Sequence, residues 1–149
     1  PLTGLHNKRF LEGTLAKEIL SSRRNDLPFT VIFLDIDHFK KINDTMGHLT
    51  GDSVLRNIAL LIKEQTRTND WSARFGGDEF VIVMPDTAGE DALGVFGRVN
   101  SVISALELPD GTRVKVSFGA AQFPGNGEDP SQLLAFASKR MYENRRAKV

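Results

Sequence analysis

Apolar residues recur along this chain at two spacings, one helical and one strand-like. Over residues 7–22, Phe10, Leu15 and Ile19 fall at helical spacing, with Asn7 as N-cap. FTVIFL (29–34) follows Pro28 as a continuous apolar and β-branched run, the mark of a buried central strand, and it ends in the acids Asp35 and Asp37. Val54, Leu55, Ile58, Leu61 and Ile62 predict a helix over residues 52–66 that begins just after Gly51, with Asp52 or Ser53 as its cap. WSARF and FVIVMP read as two strands joined by Gly76 to Glu79, where a Gly-Gly pair supplies positive φ for a hairpin turn. Leu93, Phe96, Val99, Ile103 and Leu106 predict a helix over residues 88–106 in spite of Gly94 and Gly97, and a strand follows over residues 113–123. After the surface loop PGNGEDP, a last helix starts at Pro130 and Ser131, faces inward with Leu133, Leu134, Ala137 and Met141, and ends strongly basic.

The order of strand, helix, hairpin, helix and strand predicts an α/β (α+β) fold: a mainly antiparallel sheet flanked by helices, of ferredoxin-like or polymerase-palm type. At 149 residues, with no internal repeat or long linker, the chain fits one domain able to bury a core without disulfides or metal. No apolar run is long enough to cross a bilayer. Nineteen basic residues balance nineteen acidic ones, which argues against a polynucleotide partner. The absence of cysteine excludes thiolate sites and is compatible with the cytoplasm. His38 and His48 lack the paired spacing of a zinc site and read as loop or packing residues.

The chemistry concentrates in RFGGDEF (74–80), which sets Asp78 and Glu79 on a tight turn. By itself such a turn is most simply a solvated loop. A strand end at Asp35 beside a hairpin tip at Asp78 and Glu79 would, however, gather three oxygen ligands distant in sequence. Hard divalent cations favour a few carboxylates together with water and substrate phosphates, so phosphoryl or nucleotidyl transfer is the chemistry such a cluster suits.

RFGGDEF occurs in order with PLTGLHNKRF, LDIDHFKKINDTMGH, GDSVL and SFGAAQFP. By these motifs, which cover nearly the whole chain, the sequence resembles the GGDEF family of diguanylate cyclases. The resemblance implies a palm-like domain similar to nucleotidyl cyclase cores that condenses two GTP into cyclic di-GMP and two pyrophosphates. It implies two Mg²⁺ or Mn²⁺ ions per GTP site, held by Asp35, the Ile36 carbonyl, Asp78 and Glu79, with Glu79 also assisting deprotonation of the ribose 3′-hydroxyl. Gly76 and Gly77 would let the backbone pass close to the nucleotide. Asn43 and Asp52 match positions that recognise guanine, although a turn residue and a helix cap explain them equally well. Lys40 and Phe39 match the triphosphate segment.

RTND places Arg67 and Asp70 in the register of the family's inhibitory RxxD motif, and Arg98 matches a position that joins this product site. Arg suits phosphate or a guanine face and Asp suits guanine N–H groups, whereas the plain alternative is a helix-end charge and a turn. The tail departs from the family's YxAKxxGR: Arg145 stands at the Lys position, where it can still contact phosphate, and the Gly-Arg pair is absent. The resemblance further implies an obligate homodimer for catalysis, a single domain (1–149) excised from a longer sensor-coupled protein, and a cytoplasmic location, either in its own right or as the cytoplasmic part of a membrane-attached protein. Two alternatives stay open: an inactive cyclic di-GMP receptor, and another purine nucleotide cyclase with a changed base pocket.

Overall fold

FTVIFLDI forms the centre of the sheet. In the computed structural model, which describes residues 2–148 and so leaves Pro1 and Val149 of the two terminal motifs outside it, β1 (Phe29–Ile36) is buried along its whole length. It pairs antiparallel with β3 (Glu79–Met84) on one side and β4 (Val116–Phe123) on the other. β2 (Trp71–Arg74) extends the sheet beyond β3, giving the order β2-β3-β1-β4 with every ladder antiparallel, as the sequence pattern predicts.

A continuously apolar strand needs cover on both faces, and the helices supply it. Val31 and Phe33 meet Leu11, Leu15 and Ile19 of α1 (Lys8–Asn25) and the Leu133, Leu134, Ala137 and Met141 stripe of α5 (Pro130–Arg146). Ile32, Leu34 and Ile36 point the other way, into a core built with α3 (His48–Gln65) and α4 (Gly89–Ile103). Asn7 caps α1 as expected, its side chain accepting from Phe10 N.

Several sequence expectations are corrected. Phe10 lies outside the α1 stripe, half exposed, where it stacks on His6 and meets Trp71 edge-on. Leu93 also points outward, and the inner face of α4 is Ala92, Val95, Phe96, Val99 and Ile103. An unforeseen helix, α2 (Phe39–Met46), follows β1. Gly47, at φ 89°, turns the chain directly into α3, which therefore starts before Gly51. Asp52 is consequently inside a helix and caps nothing. Gly51 is internal because a Cβ there would overlap the Asn43 amide and press on Phe39. The strand predicted from residue 113 starts at Val116, with Arg113 held in an isolated bridge to Glu107. Asp129, one residue before the predicted start, caps α5 by accepting from Gln132 N at 2.8 Å.

β4 and α5 approach each other closely at Gly119. A Cβ there would overlap the backbone of α5 at Ala137 and Met141 and lie 2.6 Å from Arg140 Cβ. One turn further on, Asn144 Oδ1 accepts Phe118 N at 3.1 Å, so α5 also occupies a hydrogen-bonding group on the outer edge of the sheet. Because the obstacle at Gly119 is backbone, Gly119→Ala forces the whole helix outward. The expected cost is about 3 kcal/mol, a fall in Tm of roughly 6–12 °C, measured by thermal denaturation against Gly77→Ala, where a Cβ has open space.

Candidate active site

The carboxyl end of β1 carries the site. Asp35 and Glu79 are direct partners across the β1–β3 ladder, and Asp35 also faces Ser117 of β4. The turn closes tightly beneath them: Phe75 N donates to Glu79 O at 2.8 Å, Ile36 N donates to Asp78 O at 3.2 Å, and the Arg74 guanidinium donates to Gly77 O at 2.7 Å. Neither Gly76 nor Gly77 has the positive φ expected of the hairpin. Gly76 serves space instead, since a Cβ there would overlap Glu79 Oε1, and the Glu79 carboxylate folds back over it.

Asp35 is buried, and Arg145 from the last turn of α5 reaches it with Nη2 3.0 Å from Oδ2. The same guanidinium places Nε 3.4 Å from Asp37 Oδ1, and Lys148 Nζ lies 3.0 Å from Asp37 Oδ2. Burial, then contact with and repulsion by Asp78, push the Asp35 carboxyl up to about 7 against the pull of Arg145. Burial followed by the Asp78 charge also raises Glu79, opposed by Arg145 and Lys8. Asp37 goes the other way. Burial would raise it, but the Ser117 hydroxyl and the Lys148 and Arg145 charges outweigh burial and hold it below the ordinary carboxylate range.

Of the three predicted ligand side chains, Asp35 and Asp78 interact directly, whereas Glu79 is turned toward Gly76. Among the described residues no three His, Cys, Asp or Glu side chains converge closely enough to hold an ion together. A cation is nonetheless suited to the place. Asp35 Oδ1 is buried with no donor on it, the donor set is all hard oxygen, and Mg²⁺ is commonly held by only one or two carboxylates plus phosphate and water.

Beside these groups lies a cleft of about 360 Å³ lined by Ile36, Asp37, His38, Phe39, Lys40, Asp78, Arg145 and Lys148. It brings together Phe39, Lys40 and Arg145 from the sequence-derived phosphate set. No side chain caps the N-terminus of α2 at this cleft, so its first N–H groups remain open to an anion. Asn43 is a helical residue and not the turn residue considered above. Its Oδ1 is buried without a partner. Asp52 is half-buried on α3.

Arg67 and Asp70 meet each other at the opposite end of the sheet. Asp70, with a side chain only 1% exposed, accepts Arg67 N at 2.9 Å and faces Nε at 3.4 Å. Arg67 Nη2 reaches the Thr87 hydroxyl. A second cleft, of about 400 Å³, opens there between Lys63, Arg67, Asp70, Trp71 and His6. Arg98 is exposed on α4 and makes no hydrogen bond or ion pair with either residue.

Sequence reasoning missed Ser117, Lys148 and the part played by Asp37. Asp37 had a signal, because residues two apart on a strand share a face, so DID sends both acids the same way. Lys148 and Ser117 had none, since the pairing of β4 with β1 and the packing of α5 on the sheet join residues 80 and 111 positions apart in the chain.

In metal-free protein the Asp35 proton links stability to pH. The folded chain keeps that proton up to about 7, whereas the unfolded chain releases it near the ordinary Asp value of about 4. The folded state therefore binds more protons between these values, and stability falls as pH rises through that window. Asp35→Asn, which needs no proton, should gain on the wild type from pH 5 to pH 8 in EDTA by at least about 1 kcal/mol, or roughly 3 °C in Tm. A difference that stays flat with pH would show that Asp35 does not hold the proton.

A family model described as "Diguanylate cyclase, GGDEF domain" matches residues 1–149. The response regulator PleD of Caulobacter vibrioides is 39% identical over 147 residues, covering 95% of this chain and 32% of that protein. Diguanylate cyclase TpbB of Pseudomonas aeruginosa is 39% identical over 145 residues, with 95% and 33% covered. The chain thus spans about a third of the length of the curated relatives it matches. Among solved structures, the GGDEF domain of DgcB from Caulobacter crescentus in complex with c-di-GMP superposes with a TM-score of 0.91 at 28% identity, covering 99% of this chain and 87% of that one. No helix among the described residues is long and apolar enough to cross a membrane.

Proposed function

The chain belongs to the GGDEF family of diguanylate cyclase domains, and from that premise we propose that it condenses two molecules of GTP into cyclic di-GMP and two pyrophosphates. The observation that carries the reading is the junction of buried Asp35, repelled by half-buried Asp78, with a cleft that Arg145 and Lys40 reach. Repelling acids beside cations suit a triphosphate with its counter-ions and little else.

Asp35, the Ile36 carbonyl, Asp78 and Glu79 would hold Mg²⁺ or Mn²⁺, two ions per GTP, which when bound neutralise the triphosphate and acidify the ribose 3′-hydroxyl. Glu79 swings from Gly76 toward the nucleotide and helps accept the 3′-hydroxyl proton. The 3′-oxygen forms a bond to the α-phosphorus of the second GTP as the bond from that phosphorus to the β-phosphate oxygen breaks, and pyrophosphate leaves. Arg145, Lys40 and the open N–H groups of α2 take up charge on the phosphates. The orphaned Asn43 Oδ1 accepts from guanine N–H groups, with Asp52 from the adjoining helix as a second acceptor. Each protomer presents one GTP, so two such bonds need two protomers related by a twofold axis. Arg67 and Asp70, joined by Arg98, bind the cyclic product and inhibit. The domain works in the cytoplasm, coupled to a sensory or membrane module.

One observation favours a second reading, a receptor that binds cyclic di-GMP without turnover: Arg145 replaces the family's Lys and is ion-paired to Asp35. Incubation with GTP and Mg²⁺, with products resolved by chromatography, separates the two. Cyclic di-GMP supports the cyclase; binding of cyclic di-GMP with no product supports the receptor. In the cyclase case, Glu79→Gln should lower turnover by about 10²–10⁴-fold with Tm unchanged within a few degrees, and full activity in that variant would remove Glu79 from the site.

Product inhibition is tested separately. Arg67→Ala should raise the concentration of cyclic di-GMP needed for half-inhibition by about tenfold or more, as expected for loss of a charged contact. Its initial rate should hold, because Arg67 is remote from Asp35. Unchanged inhibition would remove the second site.

A further inference from the structure

Asp37 is absent from the set of residues assigned to GTP or metal, yet it is among the most heavily engaged side chains in the molecule. Its side chain is 8% exposed and its carboxylate is reached by three residues, from β4, α5 and the segment just past α5. Ser117 of β4, itself buried, donates to Oδ1 at 2.6 Å. Arg145 Nε stands 3.4 Å from the same oxygen. Lys148, just past the end of α5, donates to Oδ2 at 3.0 Å, and also to the Val116 carbonyl and to Ser117 Oγ at 3.3 Å. The last turn of α5 is thereby tied to the ends of β1 and β4.

The Arg145 contacts differ in kind from the others. Its Nε and Nη2 are buried and sit at ion-pair distance from Asp37 and Asp35, but neither makes an aligned hydrogen bond. The guanidinium is thus held in place by charge while its directional donors remain uncommitted. A long side chain on a terminal helical turn loses rotamer freedom when it is fixed. A fork fixed before the ligand arrives avoids that loss on binding. The fork also has two sides: Nη2 can exchange Asp35 for a phosphate oxygen while Nε stays against Asp37.

We propose that Asp37, with Ser117 and Lys148, forms a clasp that positions Arg145 for the nucleotide triphosphate. The clasp rests on the reading of the neighbouring cleft as the GTP site. Asp37 is a positioning residue: it acts on the phosphates only through Arg145.

A double-mutant cycle on nucleotide affinity distinguishes positioning from plain structural support. The probe is 3′-deoxy-GTP with Mg²⁺, which lacks the attacking hydroxyl, and Kd is measured by titration calorimetry. Asp37→Asn should weaken binding by about tenfold, within the range of coupling between contacting residues. In an Arg145→Ala background the same change should weaken it no further. Ser117→Ala, which removes one hydrogen bond without altering charge, should follow the same rule with a smaller effect and covers the case in which Asp37→Asn fails to fold. Effects that multiply in the double variants, or an Asp37→Asn chain that binds as tightly as wild type, overturn the clasp alone. A wild-type chain that binds no 3′-deoxy-GTP overturns the GTP-site reading and the clasp with it.

Discussion

The contact of α5 with β4 at Gly119 is the constraint on which the arrangement of the site depends. Helix backbone lies where a side chain would otherwise be, which sets the height of α5 above the sheet, and the Asn144 bond to Phe118 N sets its position along the strand. From Gly119 to Arg145 the helix has little freedom. The distance between the Arg145 guanidinium and the carboxylates it neutralises is therefore fixed by packing two turns away. A residue with no chemistry of its own determines whether the charged groups meet.

That meeting is needed because the site is electrostatically unfavourable when left alone. Asp35 is repelled by the neighbouring Asp78, and burial denies Asp35 the water that would screen that repulsion. Asp37, two residues further along the same face, is relieved by three donors and stays ionised. The same strand end thus holds one acid kept charged by fixed partners and one kept waiting for a partner. The first organises the cations of α5; the second is the group with an unsatisfied oxygen.

Much of this was legible in the sequence wherever a residue's fate is set locally. The α5 stripe of Leu133, Leu134, Ala137 and Met141 and the Asn7 cap were readable from spacing, and β1 from its unbroken apolar run. Phe10 and Leu93 misled because an apolar side chain can also be placed outside a core, as Phe10 is against His6 and Trp71. α2 was missed although Phe39, Ile42 and Met46 fall at helical spacing and pack on the core, because the stripe spans only eight residues and only Ile42 in it is fully buried. Of the site, the acids and Arg145 could be named from motifs, but their pairing could not. Nothing local tells Arg145 that Asp35 and Asp37 stand within its reach at the carboxyl end of β1, or tells Glu79 that Gly76 leaves room for its carboxylate.

The two candidate sites also lie at opposite ends of the sheet, which limits how one can act on the other. Thr30, second in β1, donates to the carbonyl of Thr87, whose hydroxyl Arg67 reaches, whereas Asp35 stands five residues further along that strand. At about 3.3 Å per residue that is roughly 17 Å of buried, fully paired strand. A ligand on Arg67 and Asp70 cannot cover the Asp35 cleft of its own chain, and a four-stranded sheet packed on both faces is a poor lever for small displacements. If the chain condenses two GTP as proposed, control from that end would act on the approach of the second protomer rather than on the shape of the Asp35 cleft.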